Sequence, residues 1–391
     1  MNGNIRLGSL FGIPFFINPS WFLVFGLVTW SYGSQLAAAQ VLGPLLPWLL
    51  GALTALLLFS SVVAHELGHS LVARQQGVRV NSITLFLFGG LASLDREAKT
   101  PEGAFAIAIA GPLVSVVLFG IFQAIDLFVP LPIVWQALVG LLASVNLLLA
   151  AFNMIPGLPL DGGNVLKAIV WKLTNNPYRG IRIASRVGQV FGYAAISTGL
   201  LAVLGVSPIG SVWTLLIGLF LLQNAGNSAQ SAQIQEELSN LTAAEAVTPD
   251  SPVVPATLDL RSFANTYVIG KDRWHKFLVV DADGKLLGTL AIDDLKQVAT
   301  SDWPQTMVTA LIQPYDGETI AAEESLLDVV MFFEKTTRSQ MPVVRADGRV
   351  LGLLEKPAIA QLIADRREGG EATDSPAATA KSLQEAAKPE S

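Results

Sequence analysis

"SSVVAHELGHSLVARQQG" occupies residues 60–77, and the stretch before it, "LLPWLLGALTALLLF" at 45–59, carries no charged residue. The core, HELGH at 65–69, has the spelling HExxH. A spacing of four puts His65 and His69 on one helix face, where both imidazoles can hold a single metal ion. Glu66 stands beside them, placed to take a proton from a water that the metal activates. Ala64 and Gly68 are small and permit close packing around the pair. His65 and His69 are two of only three histidines in the chain. Ionisable groups at membrane depth are costly, which favours function over a chance helix motif.

The whole chain fits a membrane setting. It has 391 residues, 51% hydrophobic and only 14% charged, too apolar for an ordinary soluble protein. Within residues 103–235 the only acidic residues are Asp126 and Asp161, and beyond 235 charges return at ordinary density. A membrane domain over 1–227, a linker over 228–240 and a soluble remainder are therefore expected. A net charge of −6 argues against a nucleic-acid partner. The chain has no cysteine, so disulfides and thiolate metal sites are excluded. The N-terminal "MNGNIRLGSLFGIPFF" lacks a small-residue cleavage site, so its apolar run reads as a retained span.

About 20 apolar residues cross a hydrocarbon core. Six spans are expected, at 15–33, 48–72, 104–125, 133–153, 187–205 and 209–226. Lys and Arg alternate strictly between their connections. Arg6 precedes the first span, and 34–47 has none. Arg74, Arg79, Arg96 and Lys99 follow the second span, and 126–132 has none. Lys167, Lys172, Arg179, Arg182 and Arg186 follow the fourth, and 205–209 has none. Basic residues stay on the cytoplasmic side, so both termini are expected there, with the cell membrane as the bilayer. Trp21, Trp30, Trp48 and Trp135 lie near span ends, as interfacial anchors do.

A catalytic zinc takes three protein ligands and keeps one position open. Few residues can complete the set. His275 lies in the soluble part, and Asp126 belongs to the opposite side of the membrane. Asp161 remains, in "FNMIPGLPLDGGNVLKAI". The second and fourth spans both run outside to inside, which brings HELGH and Asp161 to the same depth near the cytoplasmic face. "LDGG" also reads as a turn built from favoured turn residues, and a ligand carried on a rigid turn satisfies both readings.

With these motifs in hand, residues 5–227 resemble the site-2 protease family of intramembrane zinc metalloproteases. The resemblance rests on HELGH, on "NMIPGLPLDGG" at 153–163, and on the intervening "LFLFGG" and "IAGPLVS". It implies zinc held by His65, His69 and Asp161, with Glu66 as general base. It further implies cleavage of a transmembrane segment of a membrane-protein substrate, usually after another protease has trimmed that substrate. Asn153 matches the polar group that steadies substrate or oxyanion. Many relatives carry Asn a few residues after the "AGP" motif; Ser115 stands there in this chain, and no catalytic role is carried over to it.

"NSITLFLFGGLASL" at 81–94 reads as a short β-hairpin around Gly89 and Gly90. Irregular backbone at membrane depth is tolerated where it lines a protein cavity. A strand edge there could pair with an unwound substrate; the other reading is a structural loop at the membrane surface. The family resemblance favours substrate presentation, with Phe86, Phe88, Gly89 and Gly90 as the presenting strand.

Two copies of one pattern lie in the soluble part, "VVDADGKLLGTL" at 279–290 and "VVRADGRVLGLL" at 343–354. Each is a strand, a DG turn, a strand and a helix-like segment. This is similar to a tandem pair of cystathionine-β-synthase (CBS) domains, with repeats at 241–302 and 303–365. Such pairs often bind adenine nucleotides, ATP or AMP, and can join two copies of a chain as a homodimer. The first copy keeps Asp294 but has Ala291 where Ser or Thr is common; the second has Ala358 where the Asp would be. Asp294 is thus the one nucleotide-binding candidate. Residues 366–391 are charged, rich in Ala and Ser and without apolar periodicity, so a disordered tail is expected.

The fold class is then a polytopic α-helical membrane protein followed by a soluble α/β CBS pair. Two alternatives belong to other classes. A CBS-regulated transporter predicts ionisable residues along several spans and repeated sets of spans, and neither is present. An inactive membrane adaptor predicts a broken HELGH or Asp161, and both are intact.

Overall fold

The computed structural model describes residues 3–38, 43–87, 89–271, 273–336 and 338–374. They form two compact units, 1–233 and 234–391.

The first unit opens with a hairpin, β1 (Ile5–Leu10) and β2 (Ile13–Ile17), followed by helices α1 (Ser20–Ala38) and α2 (Leu46–Gln75). A second hairpin, β3 (Val80–Phe86) and β4 (Gly89–Leu94), follows α2. Helices α3 (Pro101–Phe128), α4 (Ile133–Asn153), α5 (Asp161–Thr174), α6 (Pro177–Val203) and α7 (Val212–Ser239) complete the order, the last residues of α7 from Ile234 on belonging to the second unit.

The two hairpins make one four-stranded sheet, β1-β2-β3-β4. The join is parallel, pairing Phe15 with Ile83 and Ile17 with Leu85. Period-two alternation sends Ile13, Phe15 and Ile83 to one face, where they are fully buried against Val63 and Leu67 of α2. Val63 and Leu67 are four apart and flank Glu66 and His65. The sheet therefore seats on the turn of α2 that carries HELGH, with β4 as an edge strand.

Small residues let the helices meet at close range. Gly51 on α2 lies against the Thr29 carbonyl and the Gly33 backbone of α1, and Gly68 against Ala110 and Val114 of α3. Asn146, fully buried in α4, donates to Ser61 Oγ of α2 at 3.0 Å.

Among the described residues, three helices are long and apolar enough to cross a membrane, α2, α3 and α4. The other three expected spans overlap α1, α6 and α7, helices of 19, 27 and 28 residues; the first was expected to begin at 15, but 15–17 belong to strand β2, whose alternating residues pack in the sheet. The segment expected as a linker is helical, the last part of α7.

The second unit has two three-stranded sheets of one design. In the first, β5 (Val253–Pro255) runs parallel to β6 (Lys276–Val280), which pairs antiparallel with β7 (Leu286–Ala291). A one-turn helix, α8 (Leu260–Phe263), lies between β5 and β6. In the second, β8 (Ile320–Ala321) runs parallel to β9 (Gln340–Val344), which pairs antiparallel with β10 (Val350–Glu355). Helix α9 (Leu326–Lys335) precedes β9, and α10 (Lys356–Asp374) follows β10. This duplication is the one the DG turns foretell, and Gly284 and Gly348 hold φ of 82° and 86° there.

Each repeat borrows its leading segment from the other. Ala243 and Ala246 pack in the core of the second sheet, and Thr248 N–H donates to the Leu353 carbonyl at 3.0 Å. Val308 packs in the core of the first. Helix α10 continues beyond the expected domain boundary to Asp374, and 375–391, the rest of the expected tail, lie outside the described residues.

Candidate metal centre and active site

The uninterrupted helix α2 places His65 and His69 one turn apart, with side chains 3% and 13% exposed. Opposite them, Asp161 is the first residue of α5. A tight turn carries the chain from Asn153, the last residue of α4, to Asp161. Leu160 N–H closes on the Gly157 carbonyl at 3.0 Å, and Leu158 N–H reaches the Ala184 carbonyl of α6 at 3.1 Å. Gly162 and Gly163 are required by contact, because a Cβ at either would run into the backbone of 154–158.

The three side chains converge. His65 Nε2 is 3.0 Å and His69 Nε2 3.2 Å from Asp161 Oδ2, and the two Nε2 atoms are 3.2 Å apart. Among the described residues they are the group of three able to hold one metal ion. The far side of each ring is fixed too. His69 Nδ1 donates to the Ile107 carbonyl at 2.7 Å, which leaves its Nε2 with a lone pair. His65 Nδ1 lies 2.9 Å from Ser115 Oγ, a hydroxyl that can accept its proton. Three electron-pair donors thus aim at one point, which fits a cation with nitrogen and carboxylate ligands, as zinc is.

Helix α3 supplies both partners and the room. Pro112, inside α3, has no N–H and so removes the helical hydrogen bond to the Ala108 carbonyl. Gly111 lies under the imidazoles, and a Cβ there would fall 2.7 Å from His65 Nε2 and nearer still to His69. The "AGP" motif is therefore the floor of the site, and Ser115 is one turn further on.

Glu66 sits between this group and the sheet. A Cβ at Gly90 would come within 3.1 Å of Glu66 Oε1. The Ala92 N–H of β4 is given to the Glu66 carboxylate. That N–H is turned away from β3, so the open edge of β4 faces the site. Phe86 ends β3, an inner strand, whereas Gly89 and Gly90 begin the edge strand β4. Phe88 lies outside the described residues.

The remaining sequence expectations fall elsewhere. Asp126 is in the last turn of α3 rather than in a turn between spans. It stands 11 residues past Ser115, about 16 Å along the helix axis at 1.5 Å per residue. His275 is exposed in the second unit. Asn153 is the last residue of α4 and adjoins the turn to Asp161. Asp294 is 8% exposed, and its carboxylate caps its own turn. Oδ2 accepts from Ala291 N–H at 3.0 Å, and Gln297 and Gln313 amides donate at 3.1–3.2 Å. The residue sequence reasoning passed over is Ser115. Its position after the "AGP" motif was noticed, but its contact with His65 depends on how α3 leans against α2.

The profile of peptidase family M50 matches residues 53–131 and 129–195. A protein of Synechocystis sp. named as a zinc metalloprotease is 59% identical over 360 residues, 92% of this chain and 95% of that one. The chain belongs to peptidase family M50. A zinc metalloprotease of Methanocaldococcus jannaschii is 28% identical across 92% of this chain and 96% of its own length. The solved site-2 protease of the same organism is 32% identical, covering 58% of this chain and 95% of that one at a TM-score of 0.43. As an M50 member, the chain has its matched segments over α2 to α6, the elements that build the converging group.

Proposed function

We propose that the chain is an intramembrane zinc endopeptidase that hydrolyses peptide bonds in or near transmembrane segments of membrane proteins. The observation that carries this reading is the convergence of His65, His69 and Asp161 beside Glu66, on a helix long and apolar enough to span a bilayer. His65, His69 and Asp161 would hold the zinc, which supplies Lewis-acid activation when bound. Glu66 takes the proton shed by the attacking water and delivers it to the departing amide nitrogen. The open edge of β4 pairs with the substrate backbone, holding it extended with its main-chain groups satisfied away from water. Asn153, at the mouth of the Asp161 turn, steadies the substrate or the developing oxyanion.

Six spans with both termini cytoplasmic accompany this reading, supported by the alternation of Lys and Arg between connections. The second unit regulates the enzyme as a CBS pair, by adenine nucleotide or by joining two copies. Nucleotide at Asp294 requires displacement of the Gln313 amide that occupies its carboxylate. An inactive adaptor is disfavoured because ligands and base are all in place.

The deciding experiment compares wild type and Glu66→Gln, purified with equal zinc, on single-span peptides in detergent. Cleavage by the wild type alone supports the reading, and equal cleavage by both overturns it. In membrane extracts, loss of Glu66 should leave uncut membrane-embedded stubs.

A further inference from the structure

A cavity of about 160 Å³ lies beside the metal centre, and Leu94, Ala104, Ile107, Ala108, Asn164 and Lys167 contribute to its walls. Each wall is tied to the site by one step. Ile107 is the residue whose carbonyl holds His69. Asn164 follows Asp161 by three residues, hence on the same face of α5. Leu94 ends β4, the strand whose Ala92 N–H reaches Glu66. An extended peptide paired with the open edge of β4 would therefore pass the catalytic glutamate and carry a side chain toward this cavity.

The chemistry of the walls defines what fits. Leu94, Ala104, Ile107 and Ala108 are apolar, and the alanines leave the space that larger residues would fill. Lys167 closes the polar end. Its side chain is 10% exposed and its ammonium is 2.5 Å from the Glu97 carboxylate, which is 67% exposed. The charge is thus paired, and the pair reaches from the interior to the surface. An apolar cavity of about 150 Å³ holds a benzene-sized group, so this one has room for a branched aliphatic or aromatic side chain.

We propose that this cavity is a substrate side-chain subsite selecting one large apolar residue near the cleaved bond. The proposal rests on the proteolytic reading above and adds a specificity determinant to it. One methylene in such a pocket discriminates by roughly 10–200-fold, so modest changes to the walls are measurable.

The test uses the full zinc-loaded chain in detergent with synthetic single-span peptides. Each position on either side of the cut bond is varied through Ala, Leu, Phe and Asp, with cleavage read by mass spectrometry. The wild type should prefer Leu or Phe over Ala by about tenfold or more at one position and reject Asp there. Ala104→Leu fills the cavity and should erase or invert that preference. Leu94→Ala, at a residue 37% exposed, widens it and should favour Phe over Leu. Bound zinc should stay at the wild-type level in both. Cleavage by the wild type with a profile that neither variant moves overturns the subsite and leaves the protease reading standing. If the wild type cleaves no peptide, as Glu66→Gln should not, the protease reading falls and the subsite with it.

Discussion

His65 Nδ1 lies 2.9 Å from the Oγ of a fully buried Ser115, 50 residues along the chain. That hydroxyl decides which face of the ring is free. As the acceptor of an Nδ1–H, it would leave the Nε2 lone pair aimed at the point where His69 and Asp161 converge. Ser115→Ala removes the acceptor and leaves space where it stood. Outer partners of this kind are worth about 10–100-fold in metal affinity or activity. Ser115→Ala should therefore weaken zinc by that order while the chain folds and inserts normally. Competition with a chelator followed by metal analysis measures it, and Ser115→Thr, which keeps the hydroxyl, should restore most of the loss. Unchanged affinity in Ser115→Ala would show that packing alone orients His65.

Asp161 and Asp126 are the two acidic residues between 103 and 235, and they make a matched pair of controls. Asp161→Ala should lower zinc content and peptide cleavage together, since it removes one of three converging donors. Asp126→Ala should change neither by much, because it lies at the far end of α3. A loss of zinc from Asp126→Ala with Asp161→Ala intact would overturn the ligand set.

Gly111 offers a test by volume rather than charge. A single methyl there would overlap both imidazole Nε2 atoms. The rings must turn or α3 must move, and neither leaves three donors on one point. Gly111→Ala should lose zinc as severely as a ligand substitution, though no ligand has changed. Ala110→Gly, one residue away and facing elsewhere on the helix, should retain it.

The contrast between these residues shows what the sequence could and could not reveal. His65, Glu66 and His69 were legible because the helix repeat fixes their relation over five residues. Asp161 was legible by elimination, since so few acidic residues lie nearby. Ser115 and Gly111 act through a helix-to-helix approach that no local pattern encodes. The first hairpin was missed for a similar reason. Ile5 to Leu10 are all exposed, so they show no in-out alternation, and the parallel pairing of Phe15 with Ile83 joins segments 68 residues apart. Helix α5 was absorbed into a basic connection because its role is to deliver Asp161 at its first turn, not to span.

Orientation is tested independently of chemistry. A reporter at the C-terminus should read cytoplasm, and one inserted at Gly43, in a connection without Lys or Arg, should read the opposite side. The reverse pattern would refute six spans with cytoplasmic termini. Agreement would place the basic end of α2, and with it HELGH, toward the cytoplasmic face.

The proposed nucleotide role of the second unit yields a prediction in which Gln313 acts against the ligand. Both oxygens of Asp294 already accept hydrogen bonds, and the Gln313 amide contributes two of them, at 3.1 and 3.2 Å. A nucleotide that needs this carboxylate must first displace that amide, and hydrogen bonds to a charged group are worth about 1.5–3 kcal/mol each. Wild-type affinity for ATP or AMP should therefore be weak. Gln313→Ala frees the carboxylate and should tighten nucleotide binding by roughly tenfold or more, whereas Asp294→Ala should abolish it. Calorimetry on the full-length protein in detergent reads all three. Regulation further requires that nucleotide favour one arrangement of the pair over another, so ATP should shift peptide cleavage more in Gln313→Ala than in wild type. Binding that is unaffected by either substitution would remove Asp294 from the nucleotide site. No binding in any variant would leave the pair as a module for joining copies, with Asp294 a cap of its own turn.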